Sequence, residues 1–131
     1  MLTDSKAFSS FAVDDLAAAK QFYGETLGLR VSEMGEMPGL LSLHLAGDRD
    51  TMIYEKPDFV PATYTVLNFQ VPDIEAAVDE LAGRGVRFER YEGVEGLGTD
   101  IDDKGIHRGE GPLIAWFTDP AGNVLAVIQL D

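Results

Sequence analysis

Apolar and polar residues alternate with a period of two along several short stretches of the chain, and glycine, proline or aspartate bounds most of them. This pattern is typical of strands that bury one face. It predicts strands over residues 6–13, 29–33, 41–45, 51–56, 64–71, 86–90, 113–118 and 124–130.

Two further stretches show helical spacing instead of alternation. Their apolar positions are Leu16, Ala19, Phe22, Tyr23 and Leu27 in the first and Ile74, Ala77, Val78 and Leu81 in the second. Asp14 or Asp15 is predicted to cap the first helix and Asp73 the second, because short acidic side chains accept hydrogen bonds from free N–H groups at helix starts. Gly28 follows the first stretch and Gly83 and Gly85 follow the second, and these glycines are predicted to end the helices.

The two halves of the chain repeat each other at a constant offset. Phe11, Val13, Asp15 and Leu16 recur as Phe69, Val71, Asp73 and Ile74, 58 positions further on. Each half reads strand, helix, strand, strand, strand. We predict one domain over residues 1–131, with module one at about 1–58 and module two at about 62–131. A unit repeated twice is expected to pack against its copy, which predicts a binding site between or inside the halves.

The stretch 93–111 contains six glycines and no hydrophobic period, and it is predicted to be a mobile loop or lid. A lid could bring His107, Arg108 and Glu110 over a bound ligand. Residues 100–105 begin like a calcium-binding loop, but Lys104 replaces an oxygen ligand. We therefore predict a turn at this point.

Composition excludes several classes of function. The formal net charge is −13, from 23 acidic and 10 basic residues, which excludes a surface that gathers nucleic acid or anionic lipid. The chain has no cysteine, hence no disulfide, thiolate zinc site or cysteine nucleophile. No apolar run is long enough to span a bilayer. We expect a soluble cytoplasmic protein with neither nucleic acid nor membrane as a partner.

Three groups of residues point to a known family. They are Phe22-Tyr23 with Leu27-Gly28-Leu29, the helix openings Val13-Asp14-Asp15-Leu16 and Val71-Pro72-Asp73-Ile74, and the run from Trp116 to Asn123. Together they resemble the glyoxalase, bleomycin-resistance and extradiol-dioxygenase family, the vicinal oxygen chelate superfamily. The resemblance implies an α+β fold in which two tandem βαβββ modules form a partly closed mixed sheet with a concave ligand cleft. The superfamily includes lyases, epimerases, dioxygenases, thiol transferases and drug binders, so the fold does not decide the activity.

The resemblance also implies four inward positions that carry metal ligands in the metal-dependent relatives. In this sequence they correspond to Phe8, Val66, Ala126 and either Met52 or Tyr54. Glu55 would face inward if the register slipped by one residue, but one carboxylate is too few for a divalent ion. We predict that the chain has no metal centre and needs no cofactor.

Strand alternation predicts what lines the concave face instead. The predicted ligand-binding residues combine aromatic rings with neutral hydrogen-bonding groups: Phe8, Ser42, His44, Met52, Tyr54, Tyr64, Asn68, Gln70 and Trp116. Such a mixture is typical of a small-molecule pocket. The alternative is a polar sheet face that is solvated or packed on a dimer partner.

These features favour a metal-free protein that binds a small aromatic or apolar organic molecule, in a sequestering role like that of the family's bleomycin-binding proteins. The alternative is an enzyme, a glyoxalase-like lyase or isomerase or a relative of the dioxygenases. Its catalytic candidates are His44, Tyr54, His107 and Glu110. A third alternative is a module without a ligand. The resemblance implies a homodimer, which would also protect exposed sheet edges.

Overall fold

Each half of the chain folds as strand, helix, strand, strand, strand, as the alternating and helical patterns predict. The computed structural model describes residues 1–34, 38–91, 101–109 and 111–130. The chain divides into two units, Met1–Pro61 and Ala62–Asp131. Unit one contains β1 (Ser9–Val13), α1 (Leu16–Gln21), β2 (Arg30–Glu33), β3 (Leu40–His44) and β4 (Thr51–Glu55). Unit two contains β5 (Thr65–Gln70), α2 (Ile74–Gly83), β6 (Phe88–Glu89), β7 (Leu113–Thr118) and β8 (Val124–Gln129).

Each unit has one four-stranded mixed sheet, and the two sheets have the same topology. The strand orders are β1-β4-β3-β2 and β5-β8-β7-β6. In both sheets the first and last strands of the unit pair in parallel, and the remaining pairs are antiparallel. The predicted α+β class and the βαβββ order of each module are confirmed. The assignment of both modules to one domain stays a prediction. Within the described residues no helix is long and apolar enough to cross a bilayer.

The two helices begin with the same cap. Asp15 accepts a hydrogen bond from the Ala18 N–H at 3.2 Å, and Asp73 accepts one from the Ala76 N–H at 3.2 Å. The cap residues have nearly identical extended backbone angles, with φ of −143° and −141°. Asp15 is therefore the cap of the first helix, and Asp14 is not.

A side chain from the last strand of each unit completes the helix start. The Leu16 N–H donates to Glu55 Oε1 at 3.1 Å, and the Ile74 N–H donates to Gln129 Oε1 at 2.9 Å. Glu55 and Gln129 thus point to the face of their sheet that carries the helix. By alternation, Ile53 lies on that same face, where it is fully buried.

The first helix ends in a π-helical turn, Phe22–Thr26, that the second helix lacks. In unit one the Leu29 N–H donates to the Tyr23 carbonyl, and in unit two the Val86 N–H donates to the Leu81 carbonyl. The glycines that precede the two donors, Gly28 and Gly85, both have positive φ, whereas Gly83 is the last residue of α2. Gly28 and Gly85 are 57 positions apart instead of 58. The π-helical turn therefore holds one residue more than the equivalent part of unit two.

Four strands begin later than the alternation predicts: β2 by one residue, β6 by two, and also β1 and β5. β1 starts at Ser9, which pairs with Thr51, the first residue of β4. β5 starts at Thr65, which pairs with Val124, the first residue of β8. Because a ladder ends where its partner strand ends, the predicted extensions over 6–8 and at Tyr64 have nothing to pair with.

Candidate functional site

Trp116, the single tryptophan, lies on the sheet face of unit two that points away from α2. We call this face of each sheet the far face. Asn68, Ala126 and Trp116 are aligned across β5, β8 and β7 in register, so their side chains project together. Ala126 is fully buried and Trp116 is 8% exposed, whereas Asn68 is exposed. The predicted association of Asn68 with Trp116 on one face is confirmed.

A β-bulge changes which residues of β5 reach this face. The register shifts between Thr65 and Leu67, and the indole N–H of Trp116 donates to Thr65 Oγ1 at 3.0 Å. Thr65 therefore lies beside Trp116. The strict alternation that grouped Val66 and Tyr64 with Asn68 does not hold across the bulge. Tyr64 precedes β5 and is 70% exposed. Gln70 is aligned with Ile128 and is exposed.

Residues 101–109 pack against the sheet instead of forming a lid. His107 bridges Ile101 on one side and Ile114 of β7 on the other. Ile106 is completely buried and His107 is 4% exposed. The expectation of a mobile lid is wrong for this part of the segment. The segment is held in place by pairing with β7, and such pairing needs no hydrophobic period within the segment itself. Residues 92–100 and Glu110 lie outside the described residues.

Asp102 organises this segment, and the predicted turn is confirmed. Its carboxylate accepts hydrogen bonds from the backbone N–H groups of Lys104 and Ile106, both at 2.9 Å, and from Arg108 Nε at 2.8 Å. Gly105 has φ of +87°, and a Cβ atom there would lie 3.0 Å from the Phe88 side chain. Glycine is therefore required at the tip of the turn.

Ion pairs hold the same segment against α2. Lys104 Nζ lies 2.9 Å from Asp79, and Arg108 lies 3.4 Å from Glu75. The hydrogen bond that Lys104 donates to Asp79 raises the pKa of Lys104. Burial alone would raise the pKa of Asp102, but the hydrogen bonds from Arg108 and the two backbone N–H groups outweigh it and lower that pKa. These contacts fix the backbone on both sides of His107.

The segment thereby places His107 in an aromatic cluster with Trp116 and Tyr91. The His107 ring meets the Trp116 ring edge to face, with 4.6 Å between centroids, and Tyr91 meets Trp116 at 5.5 Å. Both ring nitrogens of His107 are buried without a hydrogen-bond partner among the described residues. Burial is the main cause that raises the pKa of Tyr91, and the negative charge of Glu89 raises it further. The phenol of Tyr91 is therefore neutral at physiological pH.

The far face of unit one is polar. Ser10, Met52, Ser42 and Ser32 form one row across β1, β4, β3 and β2. His44 lies on the same face two residues after Ser42. Its Nε2 atom is 2.6 Å from the Ser32 hydroxyl, and its Nδ1 atom is 3.2 Å from Asp50 Oδ2.

Most predicted site residues of unit one lie on this face. Ser42, Met52 and Tyr54 share it and are partly exposed, as alternation predicts. Phe8 does not, because it precedes β1 and is 65% exposed. Glu55 lies on the opposite face, where it is bound to the start of α1. The alternative register that would have turned Glu55 inward is therefore wrong.

Surface grooves occur on the helix-bearing sides of the units. One of about 720 Å³ lies between α1 and β2 and includes Leu16, Val31 and Leu41. Another of about 330 Å³ lies beside α2 and includes Val78 and Phe88. Both are shallow and open, and neither is lined by Trp116, His107 or His44. The candidate site residues are thus separate from these grooves.

A comparison with known protein families identifies the family of this chain. The family model described as Glyoxalase/Bleomycin resistance protein/Dioxygenase superfamily matches residues 7–127. The chain belongs to this superfamily. A search of curated proteins found no match.

Solved structures with the superfamily fold cover almost the whole chain. A glyoxalase family protein from Bacillus anthracis is 22% identical, covers 97% of each chain and has a TM-score of 0.70. TnmS3, described as an antibiotic-binding protein from a Streptomyces species, is 24% identical, covers 98% of each chain and has a TM-score of 0.68. The fosfomycin resistance protein FosX from Mesorhizobium loti is 11% identical, with a TM-score of 0.63, and covers 98% of this chain and 93% of its own. At these identities the similarity establishes the fold alone.

The residues at the positions that the resemblance assigns to metal ligands do not make up a ligand set. Phe8, Val66 and Ala126 have no donor atom in their side chains, and the last position holds Met52 or Tyr54. Thr65, which the bulge brings to the far face, already accepts the Trp116 N–H. In the parts of the chain that the structure describes, no three His, Cys, Asp or Glu residues are arranged so that they could hold a metal ion.

Sequence reasoning missed four residues that contact the predicted ones. Ser32 and Asp50 contact His44, and Thr65 and Tyr91 contact Trp116. Pairing the hairpin of β2 and β3 in register would have placed Ser32 opposite Ser42, two register pairs from His44 and on the same face. The bulge beside Thr65 leaves no signal in the alternation.

Proposed function

We propose that this chain is a metal-free member of the superfamily that binds and sequesters a small aromatic or apolar organic molecule. The observation that carries the proposal is His107, a buried imidazole without a hydrogen-bond partner among the described residues, edge to face with an indole. A buried polar group without a partner costs free energy. A ligand that supplies the missing hydrogen bond would remove that cost.

The surroundings of His107 define the chemistry of the ligand. Trp116 and Tyr91 offer aromatic surface, and Tyr91 is neutral. Aromatic side chains favour a planar apolar partner in offset or edge-to-face contact. We therefore propose a planar organic molecule with one hydrogen-bonding group directed at His107. Asn68, exposed on the same face, is proposed to contact its polar periphery.

Two further observations support the proposal. Of the four positions that the resemblance assigns to metal ligands, three lack a donor atom and the fourth holds Met52 or Tyr54. Among the similar structures, one is described as an antibiotic-binding protein, which supports binding of a small organic molecule. We also propose that the protein works in the cytoplasm and forms a homodimer. Light scattering coupled to size-exclusion chromatography tests the dimer directly, because it measures the molar mass in solution.

Trp116 provides the experiment, because it is the only source of tryptophan emission. Bleomycin and a panel of neutral, cationic and anionic planar aromatic drugs are titrated by fluorescence, and binding is confirmed by calorimetry. We expect at least one compound to quench Trp116 emission with saturation. If no compound in the panel binds, the proposal is wrong.

The variant His107→Phe keeps a ring in the cluster but removes both nitrogens. Affinity for the bound compound should fall about tenfold, the value of one hydrogen bond. Stability should stay equal or increase, because two unsatisfied buried atoms are removed. His44→Ala, at the other histidine, is the control and should bind like the unmodified chain. Equal affinity in His107→Phe would contradict the role of His107.

A further inference from the structure

The second histidine lies in a different arrangement, in unit one. His44 is on β3 and Ser32 is on the neighbouring antiparallel strand β2, two register pairs apart and on the same face. The Ser32 hydroxyl is 2.6 Å from His44 Nε2, and Asp50 Oδ2 is 3.2 Å from His44 Nδ1. The imidazole therefore contacts a hydroxyl through one nitrogen and a carboxylate through the other.

When the His44 ring is neutral, the donors and acceptors that the three side chains carry fix the direction of both hydrogen bonds. An ionised Asp50 can only accept, so His44 Nδ1 carries the proton and donates it. His44 Nε2 then has a free lone pair and accepts from the Ser32 hydroxyl. A hydroxyl that donates to a base, which in turn is oriented by a carboxylate, is the arrangement of an activated serine nucleophile.

The three residues are accessible to a substrate. Ser32 is exposed, and the His44 side chain retains 30% of its exposure. Among the described residues of unit one, β2 is the edge strand of its sheet, and within that sheet no further strand pairs with it beside Ser32. Arg30 lies directly opposite His44 in register and two residues before Ser32, which places a cation on the same face.

We propose that Ser32, His44 and Asp50 form an esterolytic site for carboxylic esters, independent of the proposed ligand site in unit two. Ser32 Oγ bonds to the carbonyl carbon while its proton moves to His44 Nε2. Arg30 stabilises the negative charge on the carbonyl oxygen. The bond to the alcohol oxygen breaks, and the alcohol leaves with the proton from His44. Water then hydrolyses the acyl-serine in the same way and releases the carboxylic acid. Asp50 is a positioning residue that holds the His44 tautomer.

A phosphonyl fluoride probe tests the nucleophile directly, because it phosphonylates activated serines with loss of fluoride. Intact-mass analysis of the full chain should show one adduct. Trypsin cleaves after Arg30 and Arg49, so residues 31–49 form one peptide that contains both Ser32 and Ser42. Fragment ions should place the adduct on Ser32.

Hydrolysis of p-nitrophenyl acetate is measured in parallel. Ser32→Ala and His44→Ala should lower the hydrolysis and labelling rates by about 100-fold or more, the usual effect of losing a nucleophile's base. Ser10→Ala is the matched control, since Ser10 is an exposed serine in the same row of the same face, on the opposite edge strand, and it should behave like the unmodified chain. Asp50→Asn should lose activity and Asp50→Glu should restore part of it, a recovery that loss of sheet stability alone would not produce.

The proposal is overturned if the unmodified chain takes up no probe, if the adduct lies elsewhere, or if Ser32→Ala hydrolyses the ester at the unmodified rate. Circular dichroism confirms that each variant is folded, and Ser32 is exposed enough for its substitution to leave folding intact. None of these results bears on drug binding by His107, so the two proposals fail separately.

Discussion

Asp102 shows how one carboxylate can decide the position of a site residue. It accepts two backbone hydrogen bonds and one from Arg108, while its side chain is 27% exposed. The lowered pKa means that folding favours the ionised form of this group. His107 follows within the same segment, so the placement of the buried imidazole depends on the charge of Asp102.

The substitution Asp102→Asn should therefore destabilise the chain in a pH-dependent manner. At pH 7 we expect a loss of about 2 kcal/mol, the value of charge-assisted hydrogen bonds. The stabilisation by an Asp102 of lowered pKa is present above the ordinary aspartate pKa of about 3.9 and is lost as the pH falls through the lower folded value. The difference between variant and unmodified chain should shrink accordingly in urea unfolding between pH 7 and pH 3.

Asp103→Asn is the control for this experiment, because Asp103 is the exposed neighbour in the same turn. It should change the free energy of unfolding little at any pH. A difference for Asp102→Asn that stays constant down to pH 3 would show that its charge does not anchor the segment.

The two helix starts are equivalent elements built with different chemistry. Both use an aspartate cap, but the N–H after the cap is bound by the carboxylate of Glu55 in unit one and by the amide of Gln129 in unit two. The caps satisfy N–H groups that have no partner within the helix. The same helix start is thus built twice, and the copy in unit one carries one additional negative charge, that of Glu55.

Asp15→Ala and Asp73→Ala should each lower the free energy of unfolding by about 1 kcal/mol, the usual value of an N-cap. Asp14→Ala is matched to the first variant in charge and neighbourhood but removes no cap, and its effect should be close to zero. Thermal and urea unfolding give both values. Equal losses for Asp14→Ala and Asp15→Ala would indicate that charge, and not the cap, accounts for the effect.

The sequence predicted elements whose causes are local and missed those whose causes are distant. Alternation predicted β7 to the residue, and short-range signals identified Asp73 and Gly28. The burial of His107 depends on pairing with β7 and on ion pairs with acidic residues of α2. No local sequence pattern encodes these contacts. The contact of Ser32 with His44 likewise requires the register of a hairpin.

At the scale of the whole molecule, the net charge of −13 opposes folding through self-repulsion. Exposed ion pairs such as Lys104 with Asp79 act in the opposite direction but contribute only about 0–1 kcal/mol each. Because repulsion between like charges acts over the whole chain, it should outweigh these local pairs. Added salt screens both effects.

The melting temperature should therefore rise as sodium chloride is increased from low to moderate concentration, which differential scanning calorimetry measures. The combined variant Asp4→Asn, Asp14→Asn and Asp103→Asn changes the net charge from −13 to −10 and should depend less on salt. A melting temperature that falls with salt in both proteins would mean that the attractive pairs dominate.

The π-helical turn has a consequence for the ancestry of the chain. Before it, matching positions of the halves lie 58 apart; after it, Gly28 with Gly85 and Arg30 with Arg87 lie 57 apart. A single insertion or deletion after duplication accounts for this difference, since the flanking strands kept their places while the helix absorbed the additional residue as a wider turn. An alignment of the two halves therefore needs a gap near Gly24 to match β2 with β6. It needs a second, longer gap after these strands, because Thr51 and Val124, which begin β4 and β8, lie 73 positions apart.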